Sequence, residues 1–76
     1  MTAPKVTWIL LASAPDLGGI AECIARFYGG ERKPLAYCED HGVWVVLRSE
    51  RPPMTLIEDV RVIRSKSGRY RFEMSR

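Results

Sequence analysis

The sequence is poor in the residues and runs that mark several well-defined classes of protein. Its 76 residues hold two cysteines and one histidine, so Cys23 and Cys38 form the only disulfide pair that is available. Small secreted scaffolds usually carry more bridges, and the pair therefore indicates reduced thiols in a cytoplasmic protein. No apolar run is long enough to span a membrane. The run at residues 6–11 resembles a signal peptide, but it is shorter than the usual apolar region of about 7–15 residues.

Motifs for catalysis, cofactor binding and metal binding are also missing. Gly18-Gly19 follows a predicted strand, but it fits neither the dinucleotide fingerprint nor the P-loop, and close packing of a helix on a sheet explains it more simply. Glu39, Asp40 and His41 share a predicted turn, yet no other His or Cys has ligand spacing to them. No nucleophile is placed beside His41 by a recognisable motif. We therefore predict no catalytic residues, no metal site and no cofactor, and an enzyme is the least favoured class.

The composition is that of one small folded domain over residues 1–76. Hydrophobic residues make up 46% of the chain and charged residues 28%, which is ordinary for a globular protein and unlike a disordered tail. A chain of this length buries only about 60% of its unfolded surface. It therefore has little room for a deep cleft beside its core.

One helix is well marked in the sequence. Asp16 offers an N-cap, and an apolar stripe with helical spacing runs from Leu17 to Phe27. Gly29-Gly30 then gives a strong stop, because glycine adopts the left-handed conformation that ends many helices. The predicted order is β-α-β-β-β-β, with a strand at 5–12, a helix at 16–28, and strands at 35–39, 43–48, 60–64 and 69–74.

The simplest arrangement of these elements is an α+β fold. We expect an antiparallel-rich sheet of about five strands with the helix packed on one face. The direction of the first strand relative to its neighbours is left open. Residues 49–53 form a break because Pro52-Pro53 cannot lie in a central strand. Residues 54–59 fit an extended segment and a single capped helical turn equally well.

Side-chain alternation predicts which residues form the core. In the last strand Tyr70, Phe72 and Met74 point one way, while Arg69, Arg71 and Glu73 point the other way. The aromatic residues are therefore expected in the core rather than beside the arginines. The predicted core comprises Trp8, Leu10, Ile20, Ile24, Phe27, Val45, Val62, Tyr70 and Phe72.

Charge is distributed very unevenly along the chain. Residues 60–76 carry six basic side chains and one acid, a net charge of +5, whereas the preceding residues carry six bases and eight acids, a net charge of −2. A concentrated basic surface attracts nucleic acid or an acidic protein face. A solvated strand face is the competing explanation, because charged side chains also protect sheet edges. The candidate binding surface consists of Arg61, Arg64, Lys66, Arg69, Arg71 and Trp44.

Trp44 joins this set because one helix can cover only one face of the sheet. If Trp44 lies on the uncovered face, it is a good interface anchor. Such a face also favours a second copy of the chain, so a homodimer is one expected assembly.

These observations favour a small binding protein without enzymatic activity. It would act as an inhibitor or adaptor on an acidic protein surface or a ribonucleoprotein. Phage or mobile-element inhibitors of host defence, including anti-CRISPR proteins, share its small size and lack of motifs. The alternative is direct binding of nucleic acid by the basic hairpin, in which residues 60–64 are predicted to pair with residues 69–74 across a turn at 65–68.

Overall fold

A computed structural model describes residues 6–76 and confirms the α+β fold class and the predicted order of elements. The predicted beginning of the first strand at Lys5 lies outside the described residues. No helix in the described part of the chain is long and apolar enough to cross a membrane. The elements are β1 (Trp8–Ala14), α1 (Leu17–Phe27), β2 (Leu35–Cys38), β3 (Val43–Leu47), β4 (Leu56–Arg64) and β5 (Tyr70–Ser75).

The five strands form one sheet in the order β1-β5-β4-β3-β2. Every neighbouring pair is antiparallel, which settles the direction that the sequence left open for β1. The chain leaves β1 at one edge of the sheet, forms α1, and enters the sheet again at the opposite edge as β2. On the way α1 packs against β1 and β5, so it covers only part of one face.

Local sequence signals fix both ends of α1. The Asp16 side chain accepts a hydrogen bond from the Gly19 N–H over 2.6 Å, which is the predicted N-cap. A Cβ added at Gly19 would lie 3.0 Å from the Cβ of Ala14, so Gly19 allows the helix to approach β1 closely. Gly29 has a φ of +73° directly after the helix, as the stop signal predicted. The observed bounds lie within one residue of the predicted ones.

The core lies between α1 and the face of the sheet that carries Phe72. Four predicted core residues are confirmed as buried: Ile20, Ile24, Val62 and Phe72. The prediction was wrong for two others, since Leu10 is 47% exposed and Phe27 is 50% exposed. Leu10 faces away from the helix, and Phe27 lies in the last turn at the rim of the core.

The remaining predicted core residues, Trp8, Val45 and Tyr70, are only half-buried. Val46 is fully buried in place of Val45, because it shares the helix side of β3 with Trp44. Trp44, two residues earlier on the same side, lies in the cross-strand row of Val62 and Phe72.

The segment that the sequence left ambiguous is extended. Residues 54 and 55 precede β4, which begins at Leu56 and not at Val60 as predicted. The Arg48 N–H donates to the Thr55 carbonyl over 2.6 Å, which closes the connection from β3. The β3–β4 register shifts between Val45 and Leu47, and Leu47 pairs with Leu56 at the beginning of β4.

Candidate functional site

The face of the sheet opposite α1 has no helix or strand packed on it within residues 6–76. Alternation along the strands brings charged and apolar side chains together here. Leu10, at 47% exposed, shows how accessible parts of this surface are. We call this surface the open face and define it by Trp8, Leu10, Ser13, Val43, Val45, Arg61, Ile63, Arg69, Arg71 and Glu73.

A buried carboxylate organises the centre of the open face. Glu73 is only 4% exposed and lies between Leu10 of β1 and Arg61 of β4 in the strand register. Arg61 Nε donates to Glu73 Oε1 over 3.1 Å, and Arg61 Nη2 lies 3.1 Å from the same oxygen. Arg71 Nη2 lies 3.5 Å from Oε2. The two arginines compensate the cost of removing this carboxylate from water, and the carboxylate in turn holds both guanidinium groups in place.

Trp8 covers the Arg61 side of this cluster. Its ring lies 3.9 Å from the Arg61 guanidinium carbon, a close cation–π contact. Beside the tryptophan is an open groove of about 550 Å³, which is lined by Trp8, His41, Val43, Val45, Leu56, Glu58, Val60 and Arg61. The groove is therefore mainly apolar, with a charged rim.

A second, more polar concavity lies at the end of the open face next to the β4–β5 turn. It measures about 260 Å³ and is lined by Leu10, Ser13, Ser65, Ser67, Arg69 and Arg71. We call it the serine–arginine pocket. Arg69 Nε donates to Ser13 Oγ over 3.3 Å, which draws the Arg69 side chain towards β1. Arg71 belongs both to this pocket and to the ion-paired group of Glu73, Arg61 and Arg71, which we call the Glu73 cluster.

The structure brings together part of the basic set predicted from the sequence. Arg61, Arg69 and Arg71 lie on the open face. Arg64 lies on the helix side, where its guanidinium is 5.9 Å from the Tyr70 ring centroid. Lys66 is exposed in the turn between β4 and β5. The five basic residues therefore do not form one continuous surface.

Trp44, the predicted aromatic anchor, also lies away from the open face. It pairs with Val62 in β4 and Tyr37 in β2, so it shares the side of the sheet that carries Phe72. It is half-buried against the core, and its ring centroid is 5.2 Å from that of Tyr37. Trp8 occupies the position on the uncovered face that the sequence suggested for Trp44.

Cys23 and Cys38 are half-buried free thiols. Over residues 6–76, no group of three His, Cys, Asp or Glu side chains is arranged to hold a metal ion. Burial raises the pKa of Tyr28 above its ordinary value of 10.0, while Arg48 opposes this shift and Asp59 adds to it. Tyr28 lies beside the core and not on the open face.

Two important residues of the open face were missed in the sequence. Trp8 was assigned to the core because it begins an apolar run. Glu73 was expected beside Arg71, but its pairing with Arg61 depends on the exact register of β4 and β5. The serines around Arg69 carried no motif, although two of them flank Lys66 in the predicted turn.

No protein-family model matches this sequence, and no curated protein or solved structure is significantly similar to it.

Proposed function

We propose that this chain is a non-enzymatic binding protein that acts as an inhibitor or adaptor on a larger protein or ribonucleoprotein. The observation that carries the proposal is the open face, where an uncovered apolar groove adjoins a fixed set of arginines. A small domain rarely leaves such a surface exposed unless a partner covers it. The lack of enzymatic activity rests on the sequence, which contains no nucleophile–base motif.

The chemistry of the open face indicates an acidic protein surface as the partner. Trp8 and the valines of β3 offer contacts for an apolar side chain of the partner. Arg69 and Arg71 offer donors to carboxylates next to it. Arg61 offers fewer free donors, because its Nε and Nη2 both contact Glu73. Aromatic and arginine side chains are the residue types that most often dominate the energy of such interfaces.

The choice of partner class rests on the size of the chain and its lack of motifs, and not on sequence similarity. Its small size and lack of motifs are shared by phage and mobile-element proteins that inhibit host defence, such as anti-CRISPR proteins. An inhibitor of that kind would act in the cytoplasm, where reduced Cys23 and Cys38 are expected.

Nucleic-acid binding is the second candidate, and one observation favours it. Trp8 lies on the same face as Arg69 and Arg71, and single strands are bound by aromatic and basic side chains that are exposed together. Two features weigh against it. The Trp8 ring is already stacked on Arg61, and Arg64 lies on the helix side of the sheet, so it does not extend the positive charge of the open face along a backbone path.

Charge reversal of Arg69 and Arg71 to glutamate separates the two candidates. If the partner is an acidic protein, binding from native lysate survives nuclease treatment, and the double variant associates more slowly. The partner is identified from the wild-type capture and then titrated in purified form. If nucleic acid is the ligand, binding to duplex DNA falls steeply with salt, and removal of one arginine lowers that slope by about one unit. Unchanged binding to both would refute a role for these arginines.

A second copy of the chain is a further occupant to test. Light scattering on the wild type and on Trp8→Ala measures whether the open face drives self-association. Dimers that are lost in Trp8→Ala would identify a homodimer as the assembly. A monomer at high concentration would leave the face to a different protein.

A further inference from the structure

The serine–arginine pocket has an excess of hydrogen-bond donors and of positive charge. Two guanidinium groups and three serine hydroxyls line it, together with Leu10. No acidic side chain is among the lining residues within the described part of the chain. A pocket with this composition is complementary to an anion.

Among residues 6–76, the hydrogen bonds of the pocket leave several donors without an acceptor. The Ser65 hydroxyl donates to the Arg69 carbonyl over 3.0 Å, and the Ser65 and Ser67 oxygens are 2.8 Å apart. Because the Ser65 proton is already used, Ser67 donates to Ser65. The Ser13 oxygen accepts from Arg69, so its own proton remains available to a ligand. Ser13 thus supplies one free hydroxyl donor, and Ser65 holds the backbone of Arg69 in place.

The two arginines supply the remaining donors. Arg69 donates from Nε to Ser13, and its terminal nitrogens have no hydrogen-bond partner among residues 6–76. Arg71 is oriented by Glu73 through one terminal nitrogen. Its Nε is buried and has no hydrogen-bond partner among the described residues. Because that atom is closed to solvent, a ligand in the pocket would be bound by the terminal nitrogens of Arg71, whose side chain is 42% exposed.

A phosphate group suits these donors better than a carboxylate does. A phosphomonoester carries nearly two negative charges and three acceptor oxygens at neutral pH, which match two guanidinium groups and a hydroxyl. Arginine binds such groups with two parallel hydrogen bonds. A carboxylate has one charge and two oxygens in a plane, so it would leave donors unpaired.

We propose that the serine–arginine pocket binds the phosphate group of a phosphomonoester, with Arg69, Arg71 and Ser13 as its donors. This goes beyond the proposed function, since it assigns a ligand class to one end of the open face whether or not a protein covers the groove. A nucleic-acid backbone fits less well, because Arg64 lies on the opposite side of the sheet and does not continue the pocket into a track.

The test is a titration of the full chain that is monitored through the amide chemical shifts in NMR spectra. The ligands are inorganic phosphate, a short phosphoserine peptide and its unphosphorylated form. We expect inorganic phosphate and the phosphoserine peptide to produce saturable shifts centred on Ser13, Ser65 and Arg69. The unphosphorylated peptide should produce none. Tighter binding of the peptide assigns the phosphate to a polypeptide, whereas equal affinities assign it to a small phosphomonoester.

Substitutions then distinguish a built pocket from general attraction to positive charge. Arg69→Gln and Arg71→Gln are expected to weaken phosphate binding at least about ten-fold, because each removes charge-assisted hydrogen bonds. Arg64→Gln is the matched control, since it removes the same charge from the opposite side of the sheet, and we expect an effect below about two-fold. Arg69 makes no contact with Glu73, so Arg69→Gln keeps the test valid if Arg71→Gln fails to fold.

Three results would overturn the proposal. The first would be that phosphate at millimolar concentration produces no saturable shifts in the wild type. The second would be that Arg64→Gln weakens binding as much as Arg69→Gln does. The third would be that an oligothymidine binds more tightly than the phosphoserine peptide and loses affinity in Arg64→Gln, which would indicate a nucleic-acid surface instead. The first two results leave the apolar groove untouched, so the proposed function can stand if the pocket fails, whereas the third would favour the nucleic-acid alternative over both.

Discussion

Replacing Glu73 with glutamine tests whether the buried carboxylate holds the open face together. Glutamine keeps the size of the side chain and its ability to accept from Arg61 Nε, but it removes the charge that both arginines face. Removal of one partner from a fully buried ion pair costs about 3–5 kcal/mol. The side chains of Arg61 and Arg71 are 28% and 42% exposed, so water offsets part of that loss. We therefore expect a lower free energy of unfolding by about 2–3 kcal/mol.

The chain offers a matched control in Glu22→Gln. Glu22 and Arg26 also form an ion pair, but their side chains are 65% and 78% exposed and their nearest charged atoms are 4.0 Å apart. Exposed helix pairs of this kind contribute about 0.3–0.5 kcal/mol. Urea denaturation followed by circular dichroism gives both values. If Glu73→Gln were no more destabilising than Glu22→Gln, the Glu73 cluster would not be an organising element of the fold.

Three further predictions concern the core, the helix and alkaline pH. Phe72→Ala should cost about 3–5 kcal/mol because Phe72 is fully buried, whereas Phe27→Ala should cost about half as much because half of Phe27 is exposed; equal costs in denaturant melts would contradict this packing. Asp16→Ala should cost about 1 kcal/mol through loss of the N-cap bond to Gly19, and a neutral effect on the melt would argue against that cap. Because the pKa of Tyr28 is raised in the folded state, the phenol keeps its proton up to a higher pH there than in the unfolded state. The stabilisation from the neutral phenol is therefore complete below about pH 10 and is lost as the pH rises through the folded pKa. Tyr28→Phe should therefore lose less stability between pH 9 and 11 (roughly the window of tyrosine titration) than the wild type, and parallel pH profiles would refute this.

The elements that rest on local signals could be predicted from the sequence. The Asp16 cap, the apolar stripe and the glycines after Phe27 define α1 without reference to the rest of the molecule. Alternation in β5 likewise separates Phe72 from Glu73 correctly. In each case the physical cause lies within a few residues of the feature, so the sequence alone contains it.

The composition of the open face depends on strand register, which the sequence did not determine. A turn over residues 65–68 places Arg64 opposite Arg69 and Arg61 opposite Phe72, on the helix side. The observed turn is one residue longer, so Arg64 pairs with Tyr70 and Arg61 with Glu73. A shift of one residue moves every side chain of a strand to the other face. The observed register therefore brings Arg61 next to Glu73 on the open face, where the two form the buried ion pair.

The faces on which the two tryptophans lie could not be assigned from the sequence for a related reason. Both lie in apolar runs in which either face of the strand could be buried. In β1 the register shifts between Leu10 and Ala12, so Leu11 packs against the core while Trp8 and Leu10 stay on the open face. A bulge of this kind has no clear local signal in a run of apolar residues.

The most direct test of the central claim compares one charge placed on each face of the sheet. Leu10 and Tyr37 are 47% and 51% exposed and lie on opposite faces, so Leu10→Glu and Tyr37→Glu introduce the same charge at sites of similar accessibility. Both variants are checked for folding by circular dichroism, and their affinities for the partner captured by the wild type in nuclease-treated lysate are then measured. If the open face is the contact surface, Leu10→Glu abolishes binding and Tyr37→Glu leaves it unchanged. Retention of binding by folded Leu10→Glu, with loss in Tyr37→Glu, would place the contact surface on the helix side and contradict the account.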